Sequence, residues 1–310
     1  MFKIKFNLSF LFLLVLFLAN SSLVSKDKVS KAVKGGPTYS NVSYGKEKMQ
    51  TLNFWKAEGK GPRPVLVQIH GGGWSGGRKI SRIKSYQRYL KAGISVASID
   101  YRLTRTHPLP APVHDAARAI QFIRYKAKEW NVNKNKIAAT GGSAGGCTSM
   151  WLLLHDDLKN PKSKDPVLRE STRLCAAVVS AAQTSIDPKV ISKWLGDMVT
   201  KHSMIYTCVG ERNIQAALKN YKKHSKLYKE FSPINHLDKN DPPMYLNYAG
   251  SVDSPIDTPG HAIHHAIFGQ KAKEAADKIG HKTYFPNIDK KSKYKNNHTF
   301  MMDMLLSKKK

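Results

Sequence analysis

Acidic residues are scarce in this chain. Its 310 residues hold 22 Asp and Glu against 51 Lys and Arg, a formal net charge of +29. Such a field disfavours cationic partners and favours anionic ones. Cysteine is scarcer still: Cys147, Cys175 and Cys208 are the three. An odd number cannot all pair within one chain, and no two form a Cys-x-x-Cys motif, which excludes a zinc ribbon or a thioredoxin-like centre. Cys147 and Cys175 lie in apolar runs and read as small buried hydrophobes. Internal repeats are lacking. After the N-terminus there is no second long apolar run, so the mature chain is expected to have no membrane span.

A basic composition by itself does not make a nucleic-acid binder. The lysines are scattered, the one basic block is the tail Lys308-Lys309-Lys310, and no nucleic-acid motif accompanies them. Solvated surface lysines are the plainer reading. No nucleic-acid partner is expected.

The first 21 residues read as a secretory signal. Lys3 and Lys5 precede an apolar run from Leu8 to Leu18, and Ala19 and Ser21 suit a cut near Ser22. Removing residues 1–21 removes two lysines and no acids, so the mature chain carries 49 − 22 = +27. Residues 22–37, rich in lysine and glycine, read as a linker. The folded domain is expected over 38–310, with export to a periplasmic or extracellular space.

Hydrophobic residues make up 41% of the chain, enough for a substantial core. Compact apolar runs at 64–70, 94–103, 136–141, 174–182, 243–250 and 282–288 predict buried strands. Residues 113–127 follow a helical period, with Val113, Ala116, Ala117, Ile120, Ile123 and Ala127 on one face. Further helices are predicted over 144–155, 261–279 and 299–307. Strands alternating with helices argue for an α/β fold, with a mostly parallel central sheet covered by helices on both faces. Residues 183–235 break the alternation and are expected to form a helical cap insertion.

Within this frame, Ser143 stands in "TGGSAGG" between a predicted strand and a predicted helix. Glycines two positions to either side make it a G-x-S-x-G turn in its required context. The turn is sharp, so a side chain two residues before or after the serine would meet backbone. The helix that begins there aims unpaired amides and its positive end at whatever the serine attacks. A glycine-rich turn that merely packs closely, or that binds phosphate, is the alternative. A second motif weighs against it. "HGGGW", His70 to Trp74, follows the strand at 64–70, and glycines there leave amides open to a developing oxyanion.

With these motifs on the page, the chain resembles the α/β-hydrolases, and among them the hormone-sensitive-lipase-like esterases with their HGGG loop. The resemblance covers roughly residues 42–306. It rests on "HGGGW", "IDYRL", "GGSAGG", "DPPMYLNYAGSVD" and "NNHTF", in the family's order of nucleophile, acid and histidine. It implies an oxyanion hole of the Gly72, Gly73 and Ala144 amides. It also implies an acid just past the penultimate strand, at Asp253 or Asp257, with Asp253 preferred because Gly250 to Asp253 keeps the family spacing. His298, after the last strand, is the implied base. The stretch after Asp253 is longer than the usual family loop.

The chain has 12 histidines. His261, His264 and His265 share an i, i+3, i+4 spacing, but no carboxylate stands at matching spacing, so they read as a packed helix start rather than a metal site. Trp74 is a candidate wall of the acyl pocket, or a residue packed under the loop. Asp115 reads as a helix-start or packing residue. The expected function is an exported serine esterase for small or short-chain carboxylic esters, with acetyl or feruloyl esters of polysaccharides as a candidate class. No metal or organic cofactor is expected. The basic surface is a candidate site for an anionic polymer. The rival from another class is a non-catalytic, basic binding protein of the same fold.

Overall fold

The computed structural model describes residues 35–307. The signal segment expected at 1–21, most of the linker at 22–37 and the lysine tail lie outside the described residues.

Eight strands form one sheet: β1 (Tyr39–Ser43), β2 (Thr51–Trp55), β3 (Arg63–Ile69), β4 (Ser95–Ile99), β5 (Val132–Gly142), β6 (Ala177–Ser180), β7 (Met244–Asn247) and β8 (Thr283–Tyr284). Their order is β1-β2-β4-β3-β5-β6-β7-β8. The pairs β1–β2 and β2–β4 are antiparallel and the others parallel. The parallel part follows the predicted strands. The antiparallel pair β1 and β2 is an addition at one edge, and the last strand spans two residues rather than the seven expected.

The helices are α1 (Gln87–Lys91), α2 (Ala111–Tyr125), α3 (Ala127–Trp130), α4 (Ala144–Leu154), α5 (Pro188–Leu195), α6 (Met204–Thr207), α7 (Ile214–Lys219), α8 (Tyr221–Glu230), α9 (Pro259–Ala262), α10 (Ile267–Ile279) and α11 (Asn297–Leu306). Side chains alternate across the sheet, so β3 sends Val65, Val67 and Ile69 into one apolar cluster and Leu66 into the other. The first cluster takes in residues of α2, α4 and α10. The second takes in Tyr89 of α1 and Phe300, Met301 and Leu305 of α11. Both faces are therefore covered, and α4 and α11 lie in different layers. This is the α/β-hydrolase fold.

Between β6 and β7 the described chain holds helices and no strand. Met204, Ile205 and Cys208 of this segment are fully buried in the same cluster as α4. Among the described residues, no helix is long and apolar enough to cross a membrane.

Candidate active site

Parallel pairing of β3 with β5 sets Ile69 opposite Gly141. The two strands therefore end together, and the loop His70–Trp74 leaves the sheet beside Ser143. Ser143 itself takes φ 53° and ψ −128°, a conformation that costs a non-glycine residue roughly 1–3 kcal/mol. Its main chain is held from both sides. The Ser143 amide donates to the Ser180 carbonyl at 2.9 Å, and its carbonyl accepts from the Cys147 amide at 2.9 Å.

The glycines around it are required by space. A Cβ on Gly141 would stand 2.4 Å from the main chain of Gly145, and one on Gly145 would stand 2.2 Å from the Ile69 carbonyl oxygen. A Cβ on Gly71 would stand 2.6 Å from the Gly142 carbonyl oxygen. Gly72, Gly73 and Trp74 all have positive φ, and the Gly72 carbonyl accepts from the amides of Ser75 and Gly76. Among the described residues, none accepts a hydrogen bond from the amides of Gly72, Gly73 or Ala144. Ala144 is the first residue of α4, where an amide has no partner within the helix.

The loop is braced from below. His70 stacks on Tyr101 at 4.1 Å, and Tyr101 donates to the His70 carbonyl at 2.8 Å. Burial pushes the His70 imidazole down from its ordinary value. The Tyr101 phenol is pushed up, first by burial and then by the Asp100 carboxylate. Asp100 forms a buried ion pair with Lys79 at 2.5 Å. Asp115 accepts from Arg102 through two nitrogens, at 2.6 and 2.8 Å, and from Gln50 at 2.7 Å. It is the packing residue that its place in α2 suggested. Trp74 is fully buried and donates from Nε1 to Thr148 Oγ1 at 2.9 Å. This bond ties the loop to α4.

The histidine on Ser143 is His264. Its Nε2 lies 2.9 Å from Ser143 Oγ, and its Nδ1 lies 2.7 Å from the Gly260 carbonyl oxygen. A carbonyl only accepts, so Nδ1 carries the hydrogen and Nε2 is left as the acceptor for the serine hydroxyl. The local sequence explains how the ring arrives there. Thr258 caps α9 by accepting from the His261 amide at 3.1 Å, and Pro259 opens the helix. One turn later, just past the helix, His264 reaches back over Gly260. The His202 ring meets His264 edge to face at 6.1 Å, and its own imidazole is pushed down by burial and then by His264.

His298, the expected base, is elsewhere. Phe300, Met301 and Leu305 of α11 pack on the sheet face opposite α4, and this carries His298 onto the Tyr89 ring, edge to face at 5.1 Å. Its Nδ1 is buried without a partner, and burial followed by Arg88 pushes its imidazole down. The acid also departs from expectation. Asp253 is exposed, with its carboxylate 3.4 Å from Ser251 Oγ, and Asp257 is exposed as well. Neither forms an ion pair or hydrogen bond with a histidine, because the 251–258 stretch turns them to the surface. A main-chain carbonyl orients the imidazole instead. The sequence signal for His264 was the histidine cluster itself. Its other members differ: His265 is buried, with Nε2 on the Ser254 carbonyl at 3.0 Å, and the His261 ring lies tilted against it at 5.2 Å.

A cavity of about 230 Å³ opens at the strand ends among Gln68, Tyr89, Gly142, Ser180 and Asn297, on the α11 side; neither Ser143 nor His264 lines it. The thiols of Cys147 and Cys208 are pushed up by burial, which keeps them protonated and unreactive at neutral pH.

Esterase LipC of Mycobacterium tuberculosis is 28% identical over 222 residues, covering 69% of this chain and 51% of that protein. Carboxylesterase NlhH of the same species is 36% identical over 94 residues, 30% of each chain. The chain thus spans about half or less of the curated relatives it matches. Among solved structures, a truncated carbohydrate esterase from gut microbiota superposes with a TM-score of 0.62 at 21% identity, over 81% of this chain and 89% of that one. An acetyl ester-xyloside bifunctional hydrolase from Caldicellulosiruptor lactoaceticus does so with 0.58 at 21% identity, over 79% and 82%. The BD-FAE family model matches residues 54–259, more than half of the sequence. On that match, and on the fold that carries it, the chain belongs to the BD-FAE family of α/β-hydrolases.

Proposed function

We propose that this protein hydrolyses carboxylic esters through Ser143, with His264 as its general base and the amides of Gly72, Gly73 and Ala144 as the oxyanion donors. The observation that carries the reading is the 2.9 Å contact from His264 Nε2 to Ser143 Oγ, with Nδ1 committed to Gly260. A serine hydroxyl is a weak nucleophile at neutral pH until a base within hydrogen-bond reach takes its proton. His264 takes that proton as Oγ attacks the ester carbonyl carbon. The carbonyl oxygen becomes an oxyanion facing amides that none of the described residues occupies. His264 returns the proton to the leaving alcohol, and water, activated in the same way, releases the acid from Ser143. Each oxyanion donor is worth about 2.7–4 kcal/mol of transition-state stabilisation. The Gly260 carbonyl holds the tautomer that an acidic residue holds in a full triad.

The acyl esters of carbohydrates are the favoured substrate class, because the names of the structural neighbours, a carbohydrate esterase and an acetyl ester hydrolase, point there. The net charge of +29 supports an anionic polymer as the carrier, held by a screened attraction that weakens as salt rises. Export through the N-terminal segment completes the reading. The alternative, a binding protein without catalysis, is favoured by one observation: among the described residues, no carboxylate bonds to His264. Hydrolysis of p-nitrophenyl acetate and acetylated xylan by wild type and Ser143→Ala separates the two. Hydrolysis lost in the variant supports the enzyme, and equal rates in both remove Ser143 from the reaction.

A further inference from the structure

The helical segment between β6 and β7 meets the reacting groups around His202. After the short turn Asp197–Lys201 the chain passes His202 and enters α6 at Met204. Met204 lies against the loop of the oxyanion donors: a Cβ on Gly73 would stand 3.4 Å from Met204 Cβ. Two residues earlier, the His202 ring meets the His264 ring edge to face at 6.1 Å. His202 is half-buried rather than sealed in the core.

The hydrogen-bonding state of this ring is fixed. The Met204 amide opens α6, where an amide has no partner within the helix, and it donates to His202 Nδ1 at 3.3 Å. A ring nitrogen that accepts carries no hydrogen. Burial, and after it His264, push the His202 imidazole below its ordinary value, so the ring is neutral at neutral pH. The one hydrogen of the neutral ring is therefore on Nε2. Among the described residues, none accepts from that nitrogen. His202 cannot serve as a second base, since its lone pair is committed to Met204. What it offers beside the base is an N–H donor. His264 has to hand its proton to the leaving oxygen, so its ring faces the alcohol half of an ester. A group packed on that ring borders the same half, while the Gly72–Gly73 loop borders the carbonyl oxygen. A hydrocarbon alcohol gives such a donor nothing beyond the ester oxygen itself. A sugar gives it hydroxyl and ring oxygens close to the esterified carbon.

We propose that His202 Nε2 donates a hydrogen bond to an oxygen of the substrate's alcohol half, and so selects esters of polyhydroxylated alcohols over esters of hydrocarbon alcohols. This rests on the ester-hydrolase reading and adds to it the group that recognises the sugar. The test is a matched pair of acetates, monoacetylated methyl xyloside and cyclohexyl acetate, with acetate release followed by pH-stat. In His202→Phe the ratio of kcat/KM between the xyloside and cyclohexyl esters is expected to fall about three- to tenfold, the worth of one neutral hydrogen bond, through a raised KM for the xyloside. His202→Gln keeps an acceptor for Met204 and an N–H donor, and it restores most of the ratio. An unchanged ratio in His202→Phe overturns the proposal, whether both rates fall with His264 and α6 or neither does. Binding is read apart from turnover by saturation-transfer NMR of the xyloside ester on Ser143→Ala, and adding His202→Phe is expected to weaken it by a similar factor. A wild type that hydrolyses neither ester, with binding that still falls in His202→Phe, would refute the hydrolase reading and support the donor. Binding that His202→Phe leaves unchanged would refute the donor.

Discussion

His264 and Ser143 are 121 residues apart in sequence, and their side chains meet at 2.9 Å. The contact joins the turn after β5 to the residue just past α9, and it leaves the serine proton facing a ring nitrogen of the right tautomer. Two histidines are therefore expected to contrast sharply. His264→Ala lowers kcat/KM for a simple ester by about 10²–10⁴-fold, the usual contribution of a general base. His298→Ala leaves kcat/KM within a few-fold of wild type, on the order of what a residue outside the chemistry costs. Steady-state kinetics on both variants checks this.

The glycines of the nucleophile turn make a second prediction. Gly145→Ala sets a Cβ 2.2 Å from the Ile69 carbonyl oxygen, which is backbone and cannot rotate away. Overpacking of this kind costs about 1–3 kcal/mol. The strand ends must part, and with them the loop from its place beside Ser143, so activity falls further than stability does. Urea unfolding followed alongside ester hydrolysis tests the order of the two losses.

Trp74 gives a third. Its indole is buried under the loop and bonded to Thr148. Trp74→Phe gives up one buried hydrogen bond, at a cost of about 1 kcal/mol. Trp74→Ala opens a cavity and costs about 3–5 kcal/mol. Neither variant alters the ranking of acetyl, butyryl and longer esters. A changed ranking in Trp74→Phe would return the residue to the acyl pocket.

Acid stability follows from buried histidines. Burial pushes the His281 imidazole down, while its Nδ1 meets Thr283 Oγ1 at 2.8 Å and its Nε2 meets the Pro242 carbonyl at 3.2 Å. The neutral ring satisfies both partners; a second proton would sit between Nδ1 and the hydroxyl it accepts from. With a folded value below the unfolded one of about 6.5, the unfolded chain takes up protons first as pH falls. Stability is full above that value and is lost as pH drops through it towards the folded value. Melting temperatures measured from pH 8 to pH 5 fall on the acid side, and less steeply in His281→Gln. His70, His114 and His298 are pushed down by burial too, so the slope shrinks without vanishing.

The sharp turn at Ser143 was legible because its determinants are local. Glycines, an apolar strand and an apolar helix around Ser143 lie within about twenty residues, and steric exclusion by backbone dictates them. The parallel core was legible for a similar reason: "PVLVQIH" and "LCAAVVSAA" are buried on both faces and read as apolar runs. Strands β1 and β2 were not, since "YSNVS" and "TLNFW" are short segments without a long apolar run. The histidine beside Ser143 was misplaced because its position is set by tertiary packing. His298 follows the last strand in the expected order, but the apolar face of α11 docks in the layer opposite α4. His264 lies in the overlong stretch after β7, which crosses the strand ends, and its group was visible only as a cluster of histidines. The loss of an acidic partner has the same origin, since Asp253 and Asp257 sit in that stretch and face outward.

In the proposed mechanism Ser143 is activated by His264 and not by His298. Labelling the wild type, His264→Ala and His298→Ala with a fluorophosphonate probe, and mapping the adduct by mass spectrometry, tests it most directly. The expected result is an adduct on Ser143 in the wild type and in His298→Ala, and its loss in folded His264→Ala. An adduct that survives His264→Ala and disappears in His298→Ala would contradict it.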